Sequence, residues 1–182
     1  MAVRTVPPER ALAHATAAHH LGCEYTPASS VAADLVGLHN TNQSTPYLSM
    51  RTRSRRFDRS ELETLMWDQW QLARFRAMRM TMFVFPAEIL EVAAAALRPI
   101  VARFDERWLR DSALDQHQFD AIAADIEDAL SDGPLTTRQL RERLAADPET
   151  DIPGVVRALC NRGTLIGGRP ARSWRSTVRE YH

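Results

Sequence analysis

Residues 152–181, IPGVVRALCNRGTLIGGRPARSWRSTVREY, contain the strongest structural signal in this chain. Their first part predicts an α-helix, because apolar side chains recur at intervals of three and four residues (Ile152, Val155, Val156, Leu159 and Cys160). A glycine-rich basic segment from Gly163 to Tyr181 follows and predicts a β-hairpin. A helix that leads into such a hairpin, or wing, indicates the second half of a winged helix-turn-helix unit.

The residues before that helix supply the other half of the unit. Thr136 is followed three positions later by Gln139, which is a capping-box pattern and predicts that a helix begins at Thr136. Helix-turn-helix units most often bind the backbone and grooves of DNA. Double-stranded DNA is therefore the predicted partner.

Length and composition suit a globular protein. A chain of 182 residues with 45% hydrophobic content is able to bury one sizeable core or two small ones. No apolar run approaches the roughly 18 residues of a membrane span, and no secretory signal opens the chain, so we expect no membrane partner. Cys23 and Cys160 lie far apart, which favours a reduced setting. We expect a cytoplasmic, nucleoid-associated protein without a metal or a cofactor, because no ligand spacing or nucleotide-binding motif is present.

The net charge of zero conceals strongly basic segments. All 23 basic residues are arginines, balanced by 23 acidic residues, and a guanidinium group is suited to paired hydrogen bonds with phosphate oxygens. The candidate DNA-binding residues come from three clusters: Arg51, Arg53, Arg55, Arg56, Arg74, Arg76, Arg169, Arg172 and Arg175. For the first cluster the alternative is an ordinary solvated loop.

The upstream half of the chain predicts a second unit of the same kind. Two amphipathic helices open it, the second carrying Val31, Ala32, Leu35 and Leu38. Ser60 and Glu63 form another capping-box pattern. A hairpin is predicted between Ala73 and Phe85, and Pro86 then begins a long helix that Pro99 should bend or break.

These patterns give a fold class of mostly α structure with short β-hairpin wings (α+β), built as tandem winged helix-turn-helix units. Residues 1–110 form the first unit with its N-terminal helices, and residues 111–182 form the second. No letter-by-letter repeat relates the two halves, so the predicted duplication is one of architecture.

Several segments together resemble the winged-helix DNA glycosylases of the AlkZ type. They are LVGLHNTN at 35–42, YLSMRTR at 47–53, RFRAMRMTMFVFPAE at 74–88, DGPLT at 132–136 and WRSTVREY at 174–181. The resemblance covers nearly the whole chain. It implies an enzyme that excises N-alkylated purines from DNA or unhooks interstrand crosslinks, in repair or in resistance to a genotoxic compound.

The resemblance also implies where the site lies. The catalytic signature of the family follows a glycine–hydrophobic pair with glutamine, one hydrophobic residue, and glutamine or aspartate. In this chain the corresponding residues are His39, Asn40 and Thr41, and none of the three is the usual type. Family members normally continue into a third winged-helix unit, so we expect a further C-terminal unit or a partner chain to supply it.

The chemistry of base excision explains why His39 and Thr41 are the candidate catalytic residues. Positive charge builds on the sugar as the base departs, so the site must hold water beside a polar group. A histidine is able to position or deprotonate that water, and a threonine hydroxyl donates or accepts a hydrogen bond. Asn40 and Asn42 are alternatives if the register is shifted. The structural alternative is that residues 39–44 form a polar loop that caps the preceding helix.

The predicted function is thus a double-stranded DNA-binding protein that is a candidate DNA N-glycosylase. The alternative is a non-catalytic DNA-binding or transcription-regulatory module, or a family remnant that has lost its chemistry. A module that binds protein is a third alternative, because a fold does not by itself fix a function.

Overall fold

The computed structural model describes residues 5–182. Helices predominate, and the strands form small antiparallel sheets, which confirms the predicted fold class. In chain order the elements are α1 (Pro8–Ala18), α2 (Ala28–Asp34), β1 (Leu38–His39), α3 (Thr45–Arg53), α4 (Arg59–Glu63), β2 (Leu72–Arg76), β3 (Met82–Pro86), α5 (Ala87–Asp111), α6 (Gln116–Ser131), β4 (Leu135–Thr136), α7 (Thr137–Arg143), α8 (Ile152–Arg162), β5 (Gly167–Pro170) and β6 (Arg179–Tyr181). A π-helical segment, Thr64–Asp68, continues α4.

The same order of elements occurs twice. Helix α2, strand β1, two helices and the β2–β3 hairpin are followed, after α5, by helix α6, strand β4, two helices and the β5–β6 hairpin. In each sheet the short first strand pairs with the last strand, giving the orders β1-β3-β2 and β4-β6-β5. The duplication therefore lies in topology, because the two halves share this order without sharing a sequence pattern.

The first hairpin forms where the sequence predicted it. Strands β2 and β3 are antiparallel in the register Arg74↔Val84, and a tight 3₁₀ turn, Met78–Met80, joins them. Arg79 and Met80 have positive φ angles of 54° and 61°, in the region that side chains other than glycine seldom adopt. The hairpin therefore turns on two strained residues.

Helix caps show both the strength and the limits of the capping-box pattern. Thr136 and Gln139 form the predicted reciprocal cap of α7. The prediction from Ser60 and Glu63 is wrong, because the side chain of Asp58 caps α4 by accepting a hydrogen bond from the Ser60 backbone N–H at 2.9 Å. An aspartate two residues earlier thus takes the place that the pattern gave to serine.

The structure differs from the sequence expectation at one helix end and at Pro99. Leu38 belongs to β1 and not to the preceding helix, because the chain leaves the helical conformation at Val36 and Gly37, with φ angles of 56° and 117°. Helix α5 continues through Pro99, so the helix does not break there, while the predicted bend stays a prediction. Ala95, whose carbonyl loses the backbone donor of residue 99, is exposed, so that carbonyl is able to meet water.

Each unit has its own hydrophobic core. The core of the first contains buried side chains from α2, β1, α3 and α4 (Val31, Leu38, Met50 and Leu62). That of the second contains Phe119, Ile126, Leu140 and Val155. Trp108 and Leu109, near the end of α5, pack on the second core, so this long helix contacts both units. The predicted division at residue 110 stays a prediction.

The second unit does not present its last helix or its wing as free elements. Helix α8 is buried on most of its surface and contacts α5, α6, α7 and β2. In the wing, Trp174 packs on the first core, with its ring 5.0 Å from that of Tyr47. The wing therefore braces one unit against the other.

We expect the Trp174→Ala variant to lose about 2 kcal/mol of unfolding free energy, less than the roughly 3–5 kcal/mol of a fully buried tryptophan, because Trp174 is half-buried. Urea unfolding followed by circular dichroism measures this loss. Trp174→Phe retains a ring against Tyr47 and should lose clearly less. Equal stability of the alanine variant and the wild type would show that the wing is not a brace.

Candidate functional site

The predicted catalytic segment begins at the exposed end of β1. His39 pairs with Phe83 of β3, and the two rings meet edge to face with their centres 5.2 Å apart. Strand β3 in turn pairs with β2 along its whole length. The sheet thus fixes the backbone of His39 while its side chain remains exposed to solvent.

The structure brings the two candidate catalytic residues together. The His39 Nε2 atom and the Thr41 Oγ1 atom lie 3.1 Å apart, within hydrogen-bond distance, and both residues are exposed. A ring nitrogen and a hydroxyl that share one proton are able to orient a water molecule between a donor and an acceptor. The pair is therefore a site with suitable chemistry at an accessible position.

The two asparagines beside this pair have different roles. The Asn42 side-chain oxygen accepts hydrogen bonds from the Ser44 backbone N–H at 3.0 Å and the Ser44 hydroxyl at 2.7 Å. This local turn precedes α3 and does not cap a helix, so Asn42 fits the polar-loop interpretation without its capping role. Asn40 is buried, its N–H donates to the Met82 carbonyl at 2.7 Å, and its Oδ1 atom has no hydrogen-bond partner within residues 5–182.

Arginines of the first cluster differ in how far they are available to a ligand. Arg53 is half-buried and donates to the Ser49 carbonyl at 3.0 Å and the Ser49 hydroxyl at 2.8 Å, so it is committed to its own helix. Arg56 pairs with Glu24 at 2.6 Å but remains exposed. Arg51 donates to the Arg55 carbonyl, and both of these residues are exposed. Three of the four guanidinium groups thus face solvent.

The arginines of the second wing lie over the first unit. Arg169 forms ion pairs with Asp68 at 2.8 Å and Glu63 at 3.7 Å, so acidic residues already neutralise much of its charge. The guanidinium of Arg175 stacks over the Trp174 ring, 4.8 Å from its centre. Arg172 is exposed and lines a second cavity beside Trp174. The wing therefore leaves Arg172 and Arg175 accessible.

Arg74 and Arg76 point to a different place. Both line a cavity of about 240 Å³ between the β2–β3 hairpin and the second unit. Arg76 donates to the Met80 carbonyl at 2.7 Å, and burial lowers the pKa of its guanidinium. The predicted DNA-binding arginines consequently do not form one set around a single cavity.

Sequence reasoning missed two further arginines at this cavity, Arg157 and Arg179, and also Gln43. Arg179 and Tyr181 are two residues apart on β6, which places them on the same face of the sheet. That alternation was available in the sequence. The position of Arg157 was not, since its place depends on how α8 packs against β2.

Helix α5 places a buried carboxyl, that of Asp105, against α8. Asp105 accepts a hydrogen bond from Asn161 Nδ2 at 2.8 Å through Oδ1, while its Oδ2 atom has no hydrogen-bond partner in the described part of the chain. Burial raises the pKa of Asp105 above its ordinary value of 3.8, against the opposing effect of Arg162, Arg157 and Arg76. The carboxyl therefore gives these arginines a weakened counter-charge.

Metal-binding groups and membrane-spanning helices belong to other classes of function. Among the residues that the structure describes, no group of three or more His, Cys, Asp or Glu side chains is placed to hold a metal ion. None of the helices between residues 5 and 182 is both long enough and apolar enough to span a bilayer.

Comparison with known proteins identifies relatives of the chain. The model of the family described as DNA glycosylase AlkZ-like matches residues 32–182. Among solved structures, the DNA glycosylase AlkZ of Streptomyces sahachiroi matches with a TM-score of 0.69 at 20% sequence identity. The match covers 91% of this chain and 46% of that one, so the chain spans about half the length of that structure. Comparison with curated proteins gives no match.

Burial of Asp105 predicts a pH-dependent stability. A carboxyl whose pKa is raised on folding binds its proton more tightly in the folded state, so its ionised form penalises the folded protein at neutral pH. This penalty disappears as the pH falls through the raised pKa towards the ordinary one. The D105N variant does not ionise, so its unfolding free energy should increase relative to wild type as the pH rises from the ordinary pKa of 3.8 through the raised pKa of Asp105. Denaturation series at several pH values measure the difference, and a pH-independent difference would contradict the assignment. Asp125→Asn, at an exposed position of α6, is the matched control.

Proposed function

Because the chain belongs to the AlkZ-like DNA glycosylase family, we propose that it binds double-stranded DNA and hydrolyses the bond between an N-alkylated purine and its sugar. The observation that carries this proposal is the exposed His39–Thr41 pair, whose Nε2 and Oγ1 atoms are 3.1 Å apart. The pair lies inside the matched region, residues 32–182, and the resemblance assigns it to the two outer positions of the family signature.

The proposed reaction follows from the chemistry of the leaving group. An N7-alkylated guanine already carries positive charge, so it departs with the electrons of the glycosidic bond as a neutral base. Positive charge then develops on the sugar, and water attacks its C1′ atom. His39 accepts the proton that the attacking water loses, and Thr41 holds that water or the imidazole in position. The products are the neutral base and an abasic site.

DNA binding in this proposal rests on the accessible arginines of both units. Arg51, Arg55 and Arg56 come from the first unit, and Arg172 and Arg175 from the second. We propose that residues 1–110 and 111–182 act as two binding units on one duplex. A third unit, from further chain or from a partner, would extend this surface. Crosslinks made by genotoxic compounds are a second substrate class, since unhooking them breaks the same type of bond.

The activity is tested with a duplex that contains one N7-alkylguanine. Incubation followed by heating in mild alkali should cut the strand at the abasic site, and gel electrophoresis measures the product. Because general acid–base groups typically contribute about 10²–10⁴-fold, we expect His39→Ala to reduce the single-turnover rate by about 10²-fold or more. Thr41→Ala should reduce it less.

The controls separate a catalytic role from a loss of fold. His117→Ala and Thr164→Ala change exposed residues outside the site and should leave the rate unchanged. The double variant His39→Gln with Thr41→Gln restores the glutamines of the family signature and should retain the activity. Cleavage no greater than in a reaction without protein would overturn the enzymatic proposal.

Measuring the affinity of arginine variants for unmodified duplex tests which arginines contact phosphate. We expect Arg172→Ala to weaken binding more than Arg169→Ala, because Asp68 and Glu63 already neutralise Arg169. Each lost phosphate contact should lower the slope of log affinity against log salt by about one. Fluorescence anisotropy over a sodium chloride series measures both quantities. A slope near zero for the wild type would contradict DNA binding itself.

The second candidate function is a DNA-binding module without chemistry. His39, Asn40 and Thr41 depart from the glutamine-containing signature, and this is the observation that favours it. Salt-sensitive binding without release of the alkylated base would support this alternative over the glycosylase.

A further inference from the structure

The cavity between the two units is lined by four guanidinium groups. Arg74 and Arg76 extend from β2, Arg157 from α8 and Arg179 from β6. None of the four forms an ion pair within 4 Å in the described range of 5–182. Like charges that converge without counter-charges repel one another, so the cavity has a strongly positive interior.

Arg179 is the least solvated of the four. It is 6% exposed, and both of its terminal nitrogens are buried without a hydrogen-bond partner within residues 5–182. The Nε atoms of Arg74 and Arg157 are also buried without a hydrogen-bond partner in the described residues. A buried donor without an acceptor costs about 1–3 kcal/mol, and more when it is charged. Arginine is not relieved of this cost by deprotonation.

The residues around Arg179 restrict its position but supply no negatively charged hydrogen-bond acceptor. Gly167 pairs with Tyr181 across the sheet, and a side chain at residue 167 would come within 3.0 Å of the Arg179 Cδ atom. Burial raises the pKa of the Cys160 thiol in the cavity wall to about 12 and also raises that of Tyr181. Both groups are therefore neutral at physiological pH.

The interactions of Arg157 and Asp105 leave the cavity with a net positive charge. Arg157 stacks against Trp108, with its guanidinium carbon 5.1 Å from the centre of that ring, an interaction that stabilises a cation but does not neutralise it. Asp105 lies beyond Asn161, where burial weakens its charge, as described above. The cavity volume of about 240 Å³ compares with about 30 Å³ for one water, so it accommodates a group of five heavy atoms with several waters.

We propose that this cavity binds one phosphate group, held by Arg179, Arg157, Arg74 and Arg76. A tetrahedral oxyanion supplies acceptors to several converging guanidinium groups at once and neutralises their charge. Two sources share this chemistry, a backbone phosphate of DNA and a free phosphate ion. The first source rests on the proposed function, and the second does not.

Gln43 connects this proposal to the candidate site. It lines the cavity four residues after His39, at the start of the turn that leads into α3. A backbone phosphate in the cavity would thus be held beside the segment that carries the His39–Thr41 pair. The cavity would set the register of the duplex relative to that pair, which is the role of phosphate contacts in general.

Thermal unfolding of the full chain tests the site with inorganic phosphate as the probe. Sodium phosphate is added at constant ionic strength, with sodium chloride as the matched series. At a phosphate concentration ten times the dissociation constant, we expect the melting temperature to rise by about 3–6 °C above the chloride series. The rise should disappear in Arg179→Met and be much smaller in Arg157→Gln.

The control is Arg107→Met, at an exposed position of α5 outside the cavity, which should respond to phosphate like the wild type. Isothermal titration calorimetry of the wild type with phosphate gives the stoichiometry, expected to be one per chain. No phosphate-specific rise in the wild type, or an undiminished rise in both cavity variants, would overturn the proposal even if one variant folds poorly.

A competition experiment distinguishes the two sources. If a backbone phosphate occupies the cavity, inorganic phosphate should displace duplex more strongly than chloride at equal ionic strength, and Arg179→Met should lower the salt slope by about one. If only free phosphate binds, phosphate still raises the melting temperature. In that case phosphate displaces duplex no more than chloride does, and Arg179→Met leaves the salt slope unchanged. Either outcome supports the phosphate site, and neither depends on whether alkylated bases are released.

Discussion

The packing of the second unit against the first sheet is the interaction on which the rest of the structure depends. Helix α8 lies on β2, and Trp174 of the wing contacts Tyr47. Because these contacts bury most of α8, this helix is not able to enter a DNA groove as the last helix of an isolated unit would. In the proposed function, nucleic acid instead meets surfaces that the packing leaves open, namely the loops, the hairpins and the exposed arginines. The contacts of α8 and Trp174 join the two units.

The packing of the two units buries arginine side chains, and this burial is its main free-energy cost. A hydrophobic interface between the units would stabilise the fold more simply, since paired or unpaired buried charges seldom improve stability over apolar packing. The structure nevertheless places Arg179 and parts of Arg74 and Arg157 in the interior, and directs Asp68 and Glu63 to Arg169 at the surface. Within the described residues, no acidic side chain lines the cavity, and Asp105 behind Asn161 is a buried carboxyl with a weakened charge. This separation of charge is typical of a binding site and differs from the paired networks that serve stability alone.

Local pattern predicted much of the fold, and distant contacts account for the remainder. The apolar face of α8, the reciprocal cap of α7 and both hairpins are properties of short segments, so the sequence was sufficient for them. The cap of α4 was misassigned because Asp58 and Ser60 are both good capping residues, and only the backbone geometry decides between them. At the candidate site, the closeness of His39 and Thr41 was predictable because they are two residues apart, and their catalytic role stays a proposal. The cavity was not, since Arg76 of β2 and Arg179 of β6 are distant in sequence and line one cavity only after the second unit has packed on β2.

The relation between the two sites follows from how each is held. His39 is fixed through the ladder of β1 and β3, and the same sheet carries Arg74 and Arg76 on its outer hairpin strand. The sheet that positions the proposed catalytic pair therefore also positions a group bound in the cavity. Sites on strands are held more precisely than sites on loops, and precise distances matter because reacting groups must approach within about 3–3.5 Å. If both proposals hold, a single three-stranded sheet links the position of the phosphate to that of the base, while the second unit closes the cavity and adds Arg157 and Arg179 to it.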